Sequence, residues 1–206
     1  MTPTRRAERR LILASASTAR ARLLEEAGYS FEVLVTDAED SAREYSDPHM
    51  YCMERAIAKC RAAAGKVLDG VVVAADTVAT LDDHIIGKPA DEADAHATLR
   101  RLSRKPHEVV SALAVIVVPE GLTFALTDST TVHMKPMNDR EISEYISSGE
   151  AKGRAGSYAV QETGDRFVEK LEGSYTNVVG LPMEAFGQLL EILSNRGIFI
   201  GQSALE

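Results

Sequence analysis

The feature that most restricts the fold of this chain is an unbroken apolar run, Val71-Val72-Val73-Ala74-Ala75, ending on Asp76-Thr77. Small and β-branched residues with no polar alternation predict a strand buried on both faces, the kind found in α/β sheets covered by helices. An ionised carboxylate at the end of such a strand is costly unless a partner holds it. In open α/β sheets, the carboxyl ends of strands are also where ligands sit. Gly87-Lys88-Pro89 then supplies a cation on a turn. Carboxylate, hydroxyl and lysine in this order point to a site for a metal-bound phosphate ester. An Asp76 that merely caps a turn is the competing reading.

The flanking segments extend the α/β pattern. Leu11-Ile12-Leu13-Ala14 predicts a short strand running into Ser15-Ala16-Ser17, and residues 18–27 a helix closed by Gly28. Arg20 shares the apolar stripe of that helix with Leu23, Leu24 and Ala27, so its cation faces the protein body near the helix start. Hydroxyls and free N–H groups there suit an anion, and an arginine adds a bidentate clamp. Ser17 or Thr18 acting only as an N-cap accounts for the same residues. A second strand is expected over residues 29–35, followed by the acids Asp37, Glu39 and Asp40. Asp47-Pro48 opens a long helix to about residue 68, apolar at Met53, Ala56, Ile57, Cys60, Ala63 and Ala64. Arg55 and Lys59, one turn apart on its flank, are expected in solvent.

Residues 80–86 predict a hairpin around Asp82-Asp83, and residues 91–101 a helix with acids at its start and bases at its end. Residues 108–118 and 122–134 read as an antiparallel hairpin joined by Pro119-Glu120-Gly121. A short helix over 139–147, a Gly-rich stretch over 153–160 with Tyr158, then Gln161, and a strand over 167–171 follow. A polar loop over 173–182 feeds a last helix with Phe186, Leu189, Leu190 and Leu193 on one face. Strands and helices alternate early and a hairpin sits in the middle. The fold class is therefore α/β with a mixed sheet and flanking helices, not a purely doubly wound one.

Composition narrows the function. At 206 residues and 45% hydrophobic, the chain suits one domain or two closely packed lobes with a real core. No apolar run approaches the ~20 residues of a membrane span. The basic start, Met1 to Arg10, is followed by an apolar run too short for a signal peptide and reads as a frayed lead-in. A net charge of −8 disfavours non-specific nucleic-acid binding and leaves room for a local basic pocket. Cys52 and Cys60 share one helical segment and read as reduced thiols of a cytoplasmic protein. The chain has no P-loop, no dinucleotide fingerprint, no histidine pair at zinc spacing and no G-x-S-x-G.

Five pieces in register resemble the Maf family of nucleoside triphosphate pyrophosphatases. They are Leu13-Ala14-Ser15-Ala16-Ser17-Thr18-Ala19-Arg20, Ala75-Asp76-Thr77, Gly87-Lys88-Pro89, Ala155-Gly156-Ser157-Tyr158-Ala159-Val160-Gln161, and Gly173-Ser174-Tyr175 through Val179-Gly180-Leu181-Pro182. The likeness runs from Leu11 to about Leu193 and sets one domain over residues 9–196, with tails at 1–8 and 197–206. It implies an elongated mixed sheet with two lobes around a cleft, as in inosine triphosphatase-like folds, and a cytoplasmic homodimer. It implies hydrolysis of a nucleoside triphosphate at the α–β phosphoanhydride, giving the monophosphate and pyrophosphate with Mg²⁺ or Mn²⁺. Asp76 then fits as the base, and Ser15, Ser17, Arg20, Lys59 and Lys88 as phosphate ligands. Glu39 fits the metal together with Asp76. Neither a nucleic acid nor a membrane is an expected partner.

Within the family, a branch acting on dTTP and UTP resembles this chain at Thr77 and Gln161, which are expected to bind the substrate and set its base. That branch usually carries Arg-Arg after S-x-S-Pro. Here Thr18 replaces the Pro and Ala19 the first Arg, while Arg20 stays, so Ala19 is a third specificity position. A 7-methyl-GTP branch has Glu where this chain has Gln161. Other readings stay open at this point: the same reaction on 7-methyl-GTP or another modified nucleotide, or a nucleotide-binding regulator of cell division.

Overall fold

A computed structural model of the chain describes residues 8–37, 46–82, 84–161 and 163–201. In chain order the strands and α-helices are β1 (Glu8–Arg9), β2 (Leu11–Leu13), α1 (Thr18–Glu26), β3 (Phe31–Val33), α2 (Pro48–Ala64), β4 (Gly70–Leu81), β5 (His84–Ile86), α3 (Glu92–Leu102), β6 (His107–Val118), β7 (Leu122–Met134), α4 (Asp139–Ser147), β8 (Val168–Glu172), α5 (Tyr175–Val179), α6 (Met183–Ser194) and β9 (Phe199–Ile200). The main sheet runs β3-β2-β4-β6-β7-β8, with β5 also paired to β4. β2 lies parallel to both β3 and β4, and every later pairing in the sheet is antiparallel. The mixed α/β sheet expected from the pattern is the one observed.

The apolar run forms only the first half of β4, which corrects the expectation that the strand ends at Asp76. β6 supplies a partner at every position from Gly70↔Val118, through Asp76↔Ala112 and Thr77↔Ser111, to Thr80↔Glu108. Because side chains alternate along a strand, two cores follow. Val71, Val73 and Ala75 pack with Leu24, Phe186 and Leu189, under α1 and α6. Val72, Ala74 and Val78 pack with Cys52, Ala56 and Cys60 of α2. Each large apolar side chain buried this way contributes roughly 1.5–3 kcal/mol against the cost of ordering the chain. The same alternation puts Asp76 on the α2 face and Thr77 on the α1 face.

β2 pairs with β4 only over Val71 to Val73, and β5 only over Ala79 to Leu81. Residues 74–78 therefore have no strand neighbour on that edge among the described residues. This notch in the sheet is where its two faces meet, and Asp76 and Thr77 flank it.

Some elements differ from the sequence pattern. α2 stops at Ala64, capped by Gly65, and Leu68 beyond it is 91% exposed. β3 covers only Phe31–Val33 of the expected strand, and Val33 and Val35 are exposed. Residues 173–182 are not all loop. Ser174 caps α5 by accepting the Asn177 N–H, and Gly180 ends it with φ 112. Five residues are too few to show a helical period. The Glu8–Arg9 and Phe199–Ile200 strands pair in parallel, so strand pairing reaches into both expected tails. Cys52 and Cys60 are free and buried, and burial pushes both thiols up to about 12, so they stay protonated. Among the described residues, no helix is long and apolar enough to cross a membrane.

Candidate active site

The notch is closed on one side by the start of α1. Ser17 is the N-cap, its hydroxyl accepting the Arg20 N–H at 3.4 Å, while Ser15 Oγ accepts the Ser17 N–H at 3.2 Å. The capping role and the site role coincide, since both serines also line the cavity. Arg20 turns inward as its stripe position predicts. Its Nε donates to the Gly180 carbonyl at 2.7 Å, Nη1 to Ser15 Oγ at 3.3 Å and Nη2 to Thr77 Oγ1 at 3.2 Å. One guanidinium thus ties α1, β4 and the turn after α5 together. Burial lowers its pKa and the charge of Asp76 opposes that; an arginine stays charged regardless. Gly180 is required here. Its left-handed φ disfavours a side chain, and a Cβ would lie 3.2 Å from Thr77 Oγ1. Thr77 Oγ1 also lies 2.9 Å from Ser111 Oγ, whose hydroxyl donates to the Asn177 carbonyl at 2.9 Å.

On the opposite face Asp76 is 7% exposed, and α2 supplies its counter-charge. Lys59 Nζ pairs with Oδ1, and Arg55 Nε stands 3.4 Å from Oδ2. This corrects the expectation that Arg55 and Lys59 lie in solvent. β4 continues past Asp76, so the carboxylate points up at α2 and the flank carrying both cations turns toward it. Two cations offset the desolvation of a carboxylate that would otherwise be buried at high cost. Their side chains keep 21% and 29% exposure, so both remain in contact with water.

Two hollows open from the notch, with volumes of about 520 and 190 Å³. They share Ser17, Ala19, Arg20, Lys88, Gly153 and Arg154, and so form one cleft. The larger adds Ser15, Lys59 and Lys152 and is cationic. The smaller adds Thr77, Tyr158, Val160, Gln161 and Val178, an apolar wall carrying one carboxamide. Lys88 itself is exposed, on a turn held by the Gly156 N–H donating to the Gly87 carbonyl at 3.2 Å.

The structure therefore brings together Ser15, Ser17, Ala19, Arg20, Lys59, Thr77, Lys88 and Gln161. Asp76 lines neither hollow, and reaches the group through Lys59. Glu39 falls outside the described residues. Sequence reasoning missed Lys152 and Arg154. The only signal for them was the pair of glycines around Arg154, and Gly153 does take a left-handed φ of 73. The cations explain how a chain of net charge −8 can present a surface for a polyanion.

Among the described residues no group of three or more His, Cys, Asp or Glu gathers to hold a metal. Among them, too, no carboxylate lines either hollow, and the nearby Asp76 is paired with Lys59 and Arg55. That donor set suits a hard cation that keeps its waters and arrives on phosphate oxygens, which needs only one or two protein carboxylates.

Comparison with known proteins adds sequence likeness to this geometry. A family model described as Maf-like protein matches residues 10–193. The dTTP/UTP pyrophosphatase of Ruminiclostridium cellulolyticum is 38% identical over 189 residues, covering 91% of this chain and 98% of that protein. A dTTP/UTP pyrophosphatase from a strain of Bacillus cereus is 41% identical over 175 residues, covering 85% of this chain and 91% of that protein.

Proposed function

The chain belongs to the Maf-like protein family, and on that footing we propose that it is a pyrophosphatase that hydrolyses dTTP and UTP to the monophosphate and pyrophosphate. The observation that carries this reading is one cleft in which Arg20, Lys88 and Arg154 line both hollows, while the larger adds Lys59 and Lys152 and the smaller adds Val160, Val178 and the Gln161 carboxamide. A nucleoside triphosphate likewise joins a polyanion to a base.

The triphosphate lies against Ser15, Ser17, Arg20, Lys59 and Lys88. Phosphoryl transfer requires positioning and neutralisation of charge on the phosphate oxygens more than covalent chemistry. Arg20, already anchored by the Gly180 carbonyl, presents a fixed fork, whereas Lys88 reaches in from solvent. Lys59 is shared between two anions. Incoming phosphate competes with Asp76 for it, and release of Lys59 frees a carboxylate oxygen to orient water and take its proton at the α-phosphorus. Arg55 stays behind beside the other oxygen of Asp76. Asp76, with Glu39 as the further candidate ligand, would hold Mg²⁺ or Mn²⁺, which would supply additional neutralisation of the phosphate oxygens. A nucleotide binder that did not hydrolyse would have no need of a base beside the phosphates.

The base lies against Thr77 and Gln161. A carboxamide offers a donor and an acceptor, matching the N3–H and a carbonyl of uracil or thymine. Ala19 lines both hollows with a methyl group where the pyrimidine branch usually has the first of its two arginines. A cytoplasmic homodimer belongs to the same proposal, on the family resemblance. Sedimentation velocity tests the dimer, and cell fractionation the compartment. The function itself is tested by incubating the purified protein with each common and modified nucleoside triphosphate plus Mg²⁺ or Mn²⁺. UMP or dTMP with pyrophosphate supports the reading. Diphosphate and orthophosphate, or preference for 7-methyl-GTP, overturns it.

A further inference from the structure

Residues 155–161 carry Gln161 to the cleft without a strand ladder to hold them. They pass through one 3₁₀ turn, Ala155–Ser157, in which Gly156 and Ser157 both take left-handed φ values of 70 and 63. A serine in that region is strained, and such strain persists only where the surroundings over-determine the backbone. Two buried tyrosine hydroxyls do so. Tyr158 is 6% exposed, with its hydroxyl 2.9 Å from Nε2 of His107, which is 2% exposed at the start of β6. The two rings meet edge to face at 5.5 Å. Tyr145 on α4 is 1% exposed, and its hydroxyl accepts the Ala159 N–H at 2.9 Å. Behind them Gly164 packs so closely that a Cβ would lie 2.2 Å from the Ala159 carbonyl oxygen.

His107 is held neutral by burial, its pKa lowered to about 4. Its Nε2 and the Tyr158 hydroxyl share one hydrogen bond, in either direction according to the tautomer. Burial raises the pKa of both phenols, so neither ionises near neutral pH.

We propose that Tyr158, backed by His107, and Tyr145 are positioning residues that fix residues 158–161 against the base and so set discrimination between uracil and cytosine. A carboxamide that could flip or drift would pair with either base. Selectivity comes from leaving the wrong partner unpaired, and that requires a frame held to a fraction of an ångström. The proposal rests on Gln161 reading the base.

The test uses the full chain and the variants Tyr158→Phe, Tyr145→Phe, His107→Leu, His107→Gln and Gln161→Ala. Three quantities are read: the ratio of kcat/KM for UTP over CTP, the inhibition constant for inorganic tripolyphosphate, and the melting temperature. Tyr158→Phe and His107→Leu are expected to lower the ratio roughly five- to tenfold, the scale of one hydrogen bond, with tripolyphosphate inhibition unchanged. His107→Gln keeps a hydrogen-bonding group near the Nε2 position and is expected to restore most of the ratio. Comparing it with His107→Leu isolates the hydrogen bond, because both lack the imidazole. An unchanged ratio in Tyr158→Phe, Tyr145→Phe and His107→Leu, while Gln161→Ala alters it, overturns the positioning role. A parallel loss of tripolyphosphate affinity would mean a general loosening of the site and overturns it equally. An unchanged ratio in Gln161→Ala marks failure of the base reading itself, and the proposal falls with it.

Discussion

Replacing Asp76 by Asn changes one charge at the notch and almost nothing in shape. Asp76 sits in mid-strand, 7% exposed, with Lys59 on one oxygen and Arg55 3.4 Å from the other. The amide keeps an acceptor for Lys59 but leaves two cations without their counter-charge. Breaking a fully buried ion pair costs about 3–5 kcal/mol. Here the cations retain 29% and 21% exposure and water can solvate them, so the expected loss is about 1–2 kcal/mol. For a chain of this size that is a fall in Tm of roughly 2–8 °C, and the fold survives. Turnover falls much further. Without a base for the attacking water, kcat should drop at least ~10²-fold, equivalent to about 2.7 kcal/mol of transition-state stabilisation. Continuous measurement of pyrophosphate release gives kcat, and a thermal melt of the same preparation gives stability. A variant that melts within this range and turns over within about threefold of the parent would remove Asp76 from the chemistry. The ion triad would then be only structural.

Lys88→Ala should lower kcat/KM less than Asp76→Asn lowers kcat, because Arg20, Lys59, Lys152 and Arg154 line the same cationic hollow; a loss equal to that of Asp76→Asn would contradict this sharing. Gln161→Glu removes a donor and adds a charge suited to the N1–H and amino edge of guanine, so the kcat/KM ratio of UTP over 7-methyl-GTP should fall. An unchanged ratio means that Gln161 does not read the base. His107 has a folded pKa near 4 against an ordinary 6.5, so the unfolded chain binds the extra proton between those values and stability falls as pH drops through that window. The total is about 3 kcal/mol, read as a smaller acid loss in urea melts of His107→Gln than of the parent between pH 7 and 4.5; equal losses contradict it.

The sheet was legible because its signals are long. β4, β6 and β7 run to a dozen residues each, with β-branched content that no helix period matches. The hairpin β6–β7 shows its turn residues openly. What the sequence concealed were facts of register. Nothing in Val71 to Thr77 tells whether the strand stops at the carboxylate, because that depends on β6 offering a partner at Ala112 and Ser111. The alternation that follows separates Asp76 from Thr77 across the sheet. It also decides that Arg55 and Lys59 meet a carboxylate while keeping part of their surface in water. α5 was hidden for a different reason. Its five residues are held by tertiary contacts, with the buried Asn177 amide donating to the Val109 carbonyl and to Thr130 Oγ1, each at 2.9 Å. A polar sequence there reads as loop until those partners are known. Arg20 is the opposite case, since its place on an apolar helix stripe already pointed its cation inward.

Hydrolysis of UTP in water enriched in ¹⁸O tests the central claim most directly, because it reports which phosphorus the water attacks. The account places the carboxylate that orients that water beside the α-phosphate, so a single ¹⁸O should appear in UMP and none in the pyrophosphate. Mass spectrometry of both products after a single turnover reads this without reference to rate. Label in the pyrophosphate would put the attack at the β-phosphorus and contradict the assignment of Asp76. Label in orthophosphate would mean that a different bond is broken.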